Sequence, residues 1–384
     1  MTSIELAIVI ASTVLLGPVT LVALVNLLLW PRRLKHANVG SGLVSGLIPA
    51  RDEENNIEAC VDSILAQGSV VAEILIYNDG STDSTQQVID RLISAHPDTV
   101  RQVQSVSLPE GWVGKSHACM KLAGRARSKW VLFVDADTRL KPNAAEKLVA
   151  EAQHSKATLL SAWPSIEMRS FAERLLMPLL NFVVFSLFPA PISRRRKGAS
   201  LGLAHGACIL AERHTYEKLG GHELVKDRLF EDTALARVWR ERSENSQVVD
   251  GREVAAVHMY EDFTGIWSGF SKNYYPALGS LRSFAIFQFY MGVTFVALPL
   301  VSLYSVFGAG SDPIYLLAAV ATLVPRSLIA IRFQHPFWPI MLHPLAITVM
   351  VTLGMRSWWR SAVRGGVEWK GRTYMANGIV ITDD

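Results

Sequence analysis

Apolar positions follow two regimes along the chain. From Ile4 to Trp30, Phe284 to Phe307, Ile314 to about Ala330 and Phe337 to Met355 they run almost without interruption. Between about residues 41 and 260 they come in short runs and periodic stripes. Gly42–Pro49, Glu73–Tyr77, Val100–Val106 and Trp130–Val134 read as strands, with Leu159–Trp163 and Ala207–Leu210 as further ones. Ile57, Cys60, Val61, Ile64 and Leu65 recur at helical spacing, and so do Val88, Leu92 and Ile93, with Ser81 or Thr82 as the cap of the second helix. Strand alternating with helix predicts an α/β fold with a mostly parallel sheet. Trp130–Val134 is continuously apolar and runs into Asp135 and Asp137, the pattern of a strand buried on both faces that ends in two carboxylates.

The long apolar stretches imply a bilayer, which needs about 20 residues per helix. Arg32, Arg33 and Lys35 follow the first stretch rather than precede it, so an uncleaved anchor is expected, with the next domain on the cytoplasmic side of the plasma membrane. Three spans at the C-terminal end would put the basic tail (Arg356, Arg360, Arg364, Lys370, Arg372) on the opposite side. Either Phe337–Met355, with Pro336, Pro339 and Pro344, is re-entrant or one stretch does not span. Arg326 in the second stretch should face protein or a headgroup. Residues 170–192 are apolar but interrupted by Pro178, Pro189 and Pro191, and a basic run, Arg194–Lys197, follows. This fits an interfacial helix or a buried core helix with a solvated loop after it. The expected organisation is an anchor (1–31), a catalytic domain (41–260) with an interfacial insert (170–192), a membrane-proximal segment (261–283) and a transmembrane region with a basic tail (284–384).

Composition adds little. The net charge of +4 suits an anionic membrane surface and not nucleic acid. Three scattered cysteines lack metal-ligand spacing and imply reduced thiols.

Candidate chemistry gathers at predicted strand ends, where open α/β sheets bind ligands. Asp135 and Asp137 would repel each other unless a hard divalent cation, Mg²⁺ or Mn²⁺, joined them, although Asp-x-Asp is also a common turn. Asp79 follows a strand and suits a uracil N–H or a ribose hydroxyl; an Asx turn is the plainer reading. Gly111–Ser116 imitates a P-loop, but Pro109 stands at the first glycine, which leaves Lys115 as a cation near a diphosphate. Glu231-Asp232 opens a helix, where acids are favoured by the dipole and where Asp232 could serve as a general base. His205 and His258 read as structural histidines, with contact to acceptor, diphosphate or metal as the alternative. Lys272, beside Trp267, Asn273 and Tyr274, is placed to hold a phosphate or headgroup.

Together these elements resemble a family 2 glycosyltransferase of the GT-A fold over about residues 44–240. The resemblance assigns Pro49, Ala50, Arg51 and Glu53 to the opening nucleotide loop and Asp79 to the uridine. It assigns Asp135 to the donor and, with Asp137, to the metal. Asp232, with Glu231, becomes the base. Leu108–Lys115, Ser170–Arg174 and Gly206-Ala207-Cys208 are similar to hopene-associated and carotenoid-acid membrane glycosyltransferases, with ceramide glucosyltransferases more distant. The Gln-x-x-Arg-Trp of processive members is missing, which argues against polymer synthesis. The implied activity is inverting transfer of a sugar, a hexose on UDP foremost, from a nucleotide-sugar donor to a lipid acceptor: a hopanoid, a carotenoid, a polyprenyl phosphate or a glycerolipid. A non-catalytic membrane protein that keeps the fold is the rival from another class.

Overall fold

The computed structural model describes residues 3–35, 37–308, 313–363, 367–369, 372–374 and 380–383. The chain divides into two compact units, Pro31–Glu167 with Ser193–Met259 and Gly366–Asp384, and Met1–Trp30 with Met168–Ile192 and Tyr260–Gly365.

The first unit is built on a seven-stranded sheet of order β3-β2-β1-β4-β8-β6-β9. Its strands are β1 (Val44–Ala50), β2 (Val71–Asn78), β3 (Val100–Gln102), β4 (Trp130–Val134), β6 (Leu159–Trp163), β8 (Cys208–Glu212) and β9 (Ser246–Asp250). Only β8 runs against its neighbours β4 and β6; the other pairings are parallel. All five residues of β4 are buried, as its unbroken apolar run requires. The reversal of β8 matters for the site. Val134 at the end of β4 pairs with Cys208 at the start of β8. The residues entering β8 therefore arrive at the same sheet edge as those leaving β4. A small second sheet joins β5 (Thr138–Leu140), β10 (Ala255–Val257) and β7 (Ser165–Ile166). A third, antiparallel, joins β11 (Val367–Trp369), β12 (Arg372–Tyr374) and β13 (Val380–Asp383).

Two expectations shift locally. The second helix begins at Thr85, with Ser84 before it rather than Ser81 or Thr82 as cap. Asp83 accepts from the Thr85 N–H at 2.9 Å, while Ser81 is taken up by Asn78 and by the Asp52 N–H. Strand β3 stops at Gln102; beyond it Val103 N–H still donates to the Ile76 carbonyl at 2.8 Å, and Val106 is held by the Tyr77 hydroxyl, which accepts from its N–H at 3.1 Å and donates to its carbonyl at 3.2 Å.

In the second unit, Glu5–Leu29, Leu281–Val306 and Pro313–Phe333 are helices long and apolar enough to cross a membrane. Their outer faces carry exposed apolar side chains such as Val14, Leu21, Phe289 and Leu317. Phe337–Met355 is not such a helix. Prolines stand at the starts of two shorter ones, Trp338–Met341 and His343–Trp358, and Leu342 breaks the run between them. The insert is likewise three short helices, Phe171–Leu176, Pro178–Leu187 and Ala190–Ser193, rather than one amphipathic helix. A capping box at Ser170 and Glu173 opens the first. Asn26 of the N-terminal helix, fully buried, donates to the carbonyls of Phe185 and Phe188 and accepts from Ala190 N–H at 2.9 Å. It supplies partners for backbone groups that the prolines leave without helical bonds. Arg326 faces protein, 1% exposed, and donates to the Pro178 carbonyl at 2.8 Å.

The basic run after the insert is not a purely solvated loop. Arg194 pairs with buried Glu151 at 2.6 Å, and the Arg196 carbonyl accepts from Arg240.

Candidate active site

The carboxyl edge of β1, β2 and β4 gathers the residues singled out by sequence. Pro49 and Ala50 close β1 beside Tyr77 and Asn78 of β2. The next loop is laced to the loop after β2. Asp79 N–H donates to the Ala50 carbonyl at 2.8 Å, Arg51 to the Asp79 carbonyl at 2.6 Å, and Glu53 N–H to the Thr85 hydroxyl at 2.7 Å. Asp52 accepts from Thr82 N–H at 2.7 Å. Gly80 has φ +67°, a left-handed turn that glycine adopts without strain, and Arg51 lies over it. Arg51 and Glu53 are thus fixed by the same turn that positions Asp79.

Lys115 opens the helix Gly114–Ala123. No strand feeds directly into that helix, in keeping with the rejected P-loop. Its ammonium lies 2.9 and 3.0 Å from the two oxygens of Asp135 and 2.9 Å from Glu231. Asp232 follows Glu231 at the start of the helix Glu231–Glu241. Its two oxygens accept from Thr233 N–H at 2.6 Å and from Gly206 N–H at 2.8 Å. Phe230 stands at the N-cap, so the two acids lie in the helix's first turn, where the dipole favours them, and Glu231 also shares the Lys115 ammonium with the strand-end carboxylate. Gly206 explains how so many charges fit. A Cβ there would lie 2.7 Å from the Lys115 ammonium, 3.4 Å from Asp135 and 3.5 Å from Asp232. Residues 115, 135, 206, 231 and 232 therefore share one small volume. Asp137 sits two residues along, within 3.4 Å of the Thr138 hydroxyl.

Burial and charge set the protonation states. Burial opposes the charge of Lys115, but Asp135 and Glu231 outweigh it and hold its pKa well above the ordinary lysine value. Asp232 goes the other way. Burial and then neighbouring Glu231 raise it, Lys115 and the two N–H donors only partly offset them, and it stands at about 7. Burial pushes His205 down to about 4, so its ring is neutral. That ring accepts from Ala207 N–H and packs edge-on against Trp163 at 4.9 Å, the structural role expected of it.

The donor set fits a hard divalent cation. Asp135, whose two oxygens already face one cation, the Lys115 ammonium, lies two residues from a second carboxylate, Asp137. Among the described residues no three acidic, histidine or cysteine side chains form a metal cage, so His258 joins no such shell. Mg²⁺-type ions are commonly held by one or two carboxylates and the substrate's phosphates, which is what Asp135 and Asp137 offer.

Sequence reasoning did not find Gly206 as the hollow of the cluster, nor two residues from the far end of the chain. Arg372 donates to Asp79 Oδ2 at 2.5 Å, across 293 positions of sequence. Tyr374 lies beside it, hydrogen-bonded to the Arg372 side chain and the Gly114 backbone. The only signal was a basic tail after the last apolar stretch.

Residues 45–220 match the family model described as glycosyl transferase family 2. The 4,4'-diaponeurosporenoate glycosyltransferase of Staphylococcus aureus (strain bovine RF122 / ET3-1) is 27% identical over 343 residues, covering 85% of this chain and 87% of the relative. Its counterpart in strain USA300 is 27% identical over 365 residues, covering 88% and 90%. The mannosyltransferase PcManGT from Pyrobaculum calidifontis, solved in complex with GDP-Man and Mn2+, shares the fold: TM-score 0.58 at 17% identity, over 93% of this chain and 98% of that one.

Proposed function

We propose that the chain, a glycosyltransferase whose residues 45–220 match the family 2 model, transfers a sugar from a nucleotide-diphosphate donor to a lipid acceptor at a membrane. The carrying observation is the convergence of Lys115, Asp135, Glu231 and Asp232 around Gly206, where a positive charge and a carboxylate near neutrality face one space. Arg51 and Asp79 would hold the nucleotide at the sheet edge. Asp135 and Asp137 would hold a Mg²⁺ or Mn²⁺ ion, which supplies Lewis-acid stabilisation of the leaving diphosphate. Lys115 adds fixed positive charge on the same side. Asp232, held by two N–H donors, would take the proton of an acceptor hydroxyl as its oxygen bonds to the sugar's anomeric carbon and the nucleotide diphosphate leaves from the opposite face, with inversion. Three apolar helices favour an acceptor drawn from the bilayer, and Arg32, Arg33 and Lys35 favour a plasma-membrane protein with its catalytic unit in the cytoplasm.

The test is expression in a host supplied with candidate lipids, followed by mass analysis of the lipid extract. A hexose adduct that needs the protein and a divalent ion supports the reading; no adduct with any common nucleotide sugar, and no metal-dependent donor hydrolysis, overturns it in favour of a non-catalytic binder.

A second reading concerns the acceptor. The relatives are named for a carotenoid acid, and a carboxylate acceptor is already ionised and needs no base. Asp232 separates the two. With a hydroxyl acceptor only ionised Asp232 works, so kcat/KM should rise with pH to a plateau above about 7 and fall about tenfold per unit below it. With a carboxylate acceptor that limb should be missing, because protonated Asp232 then relieves repulsion rather than stopping the reaction.

A further inference from the structure

We propose that β12 is a strap across the nucleotide subsite, and that Arg372 competes with the donor's base and ribose for the carboxylate of Asp79. The proposal rests on the donor reading of Asp79 given above. Asp79 stands at the carboxyl edge of β2, beside the end of β1, the place where a parallel sheet takes its ligand. Its side chain is acceptor-only and turned to that edge, yet the oxygen Oδ2 is already taken by Arg372 Nη1 at 2.5 Å. Both side chains are nearly closed to solvent, 7% exposed for Arg372 and 11% for Asp79. A nucleoside cannot reach that oxygen while the guanidinium remains.

The seal is built rather than incidental. Gly114 lies against the pair, and a Cβ there would collide with Asp79 Oδ2 and with Arg372 Nη1. Tyr374, 1% exposed, stands next along the same strand and hydrogen-bonds the Gly114 backbone and Arg372. β12 is itself held between β11 and β13, so the arginine comes on a small antiparallel sheet and not on a loose end. Gly114 is followed by Lys115, so the strap ends one residue from the cation of the catalytic cluster. Arg372 is fork-shaped and always charged, a side chain well suited to hold a buried carboxylate.

A donor that must displace a buried ion pair binds with an affinity reduced by the fraction of molecules in which the pair is open. Removing the guanidinium removes that penalty. The experiment measures binding of UDP, and separately GDP, to the detergent-solubilised full chain by calorimetry, for wild type, Arg372→Ala and Arg372→Gln; the second variant keeps a polar side chain in case the first folds poorly. Hydrogen exchange at residues 372–374 is followed in the wild type. The expected result is tighter nucleotide binding by both variants, about tenfold or more, with faster exchange of β12 when wild type is saturated. Equal or weaker binding by the variants, or unchanged exchange, overturns the strap while the donor reading stands. Binding of neither nucleotide to any form removes the donor reading, and the strap falls with it.

Discussion

Asp232→Asn is expected to lower the rate of sugar transfer to a hydroxyl acceptor by about 10²–10⁴-fold while leaving the melting temperature unchanged. The amide fits the carboxylate's place. Its oxygen can still accept from Gly206 or Thr233 N–H, so the junction between the loop before β8 and the helix Glu231–Glu241 should survive. What disappears is a group able to accept a proton. The carboxylate is well suited to that task because burial and Glu231 bring it to about 7, where it is both largely available and basic enough to pull. Transfer of radiolabelled sugar into a lipid extract reads the rate. Near-normal turnover by a folded Asp232→Asn enzyme would remove the base, and would favour an acceptor that arrives ionised.

Asp135→Ala should be at least as damaging, with a different signature. Wild-type activity is expected to vanish on chelation and to return with Mn²⁺ or Mg²⁺; the variant should stay inactive whichever ion is added. A Lewis acid at the leaving diphosphate contributes several kcal/mol, about 10²–10⁴-fold in rate. The same carboxylate shares the Lys115 ammonium with Glu231, so its loss also leaves that ammonium facing Glu231. The fold should hold. The backbone of Asp135 remains bonded to the Ala207 carbonyl, and its own carbonyl still accepts from Thr138 N–H. Lys115→Met separates the contributions: it should slow transfer but keep the metal requirement. Wild-type rates in a chelator would end the case for an ion at Asp135 and Asp137.

The parts of this molecule legible in sequence were those fixed by near neighbours. Trp130–Val134 declared a doubly buried strand because nothing polar interrupts it, and the structure has that strand with those bounds. Asp79, Asp135, Glu231 and Asp232 were legible because strand ends and helix starts are marked by local chemistry. The pairing of Lys115 with Asp135 was not, since two oppositely charged side chains meet only after β4 and the helix Gly114–Ala123 have packed. Gly206 looked like one glycine among many; its lack of a side chain acquires meaning only with three charged groups around it. The membrane stretches misled where hydropathy outweighed proline. Phe337–Met355 is apolar enough on average, but Pro339 and Pro344 each start a new short helix. In sequence Arg372 is one basic residue of the tail among several, because its partner Asp79 lies 293 positions away.

That last pair also fixes an arithmetic of crossings. The chain leaves the catalytic unit after Met259 and rejoins it at Gly366. Asp79 and Arg372 can meet only if both ends of the excursion emerge on one face of the bilayer. Any bilayer crossings in between must then come in even number, and the described residues there hold two helices long enough to cross, Leu281–Val306 and Pro313–Phe333. An odd number of crossings there would separate Arg372 from Asp79 by the thickness of the bilayer.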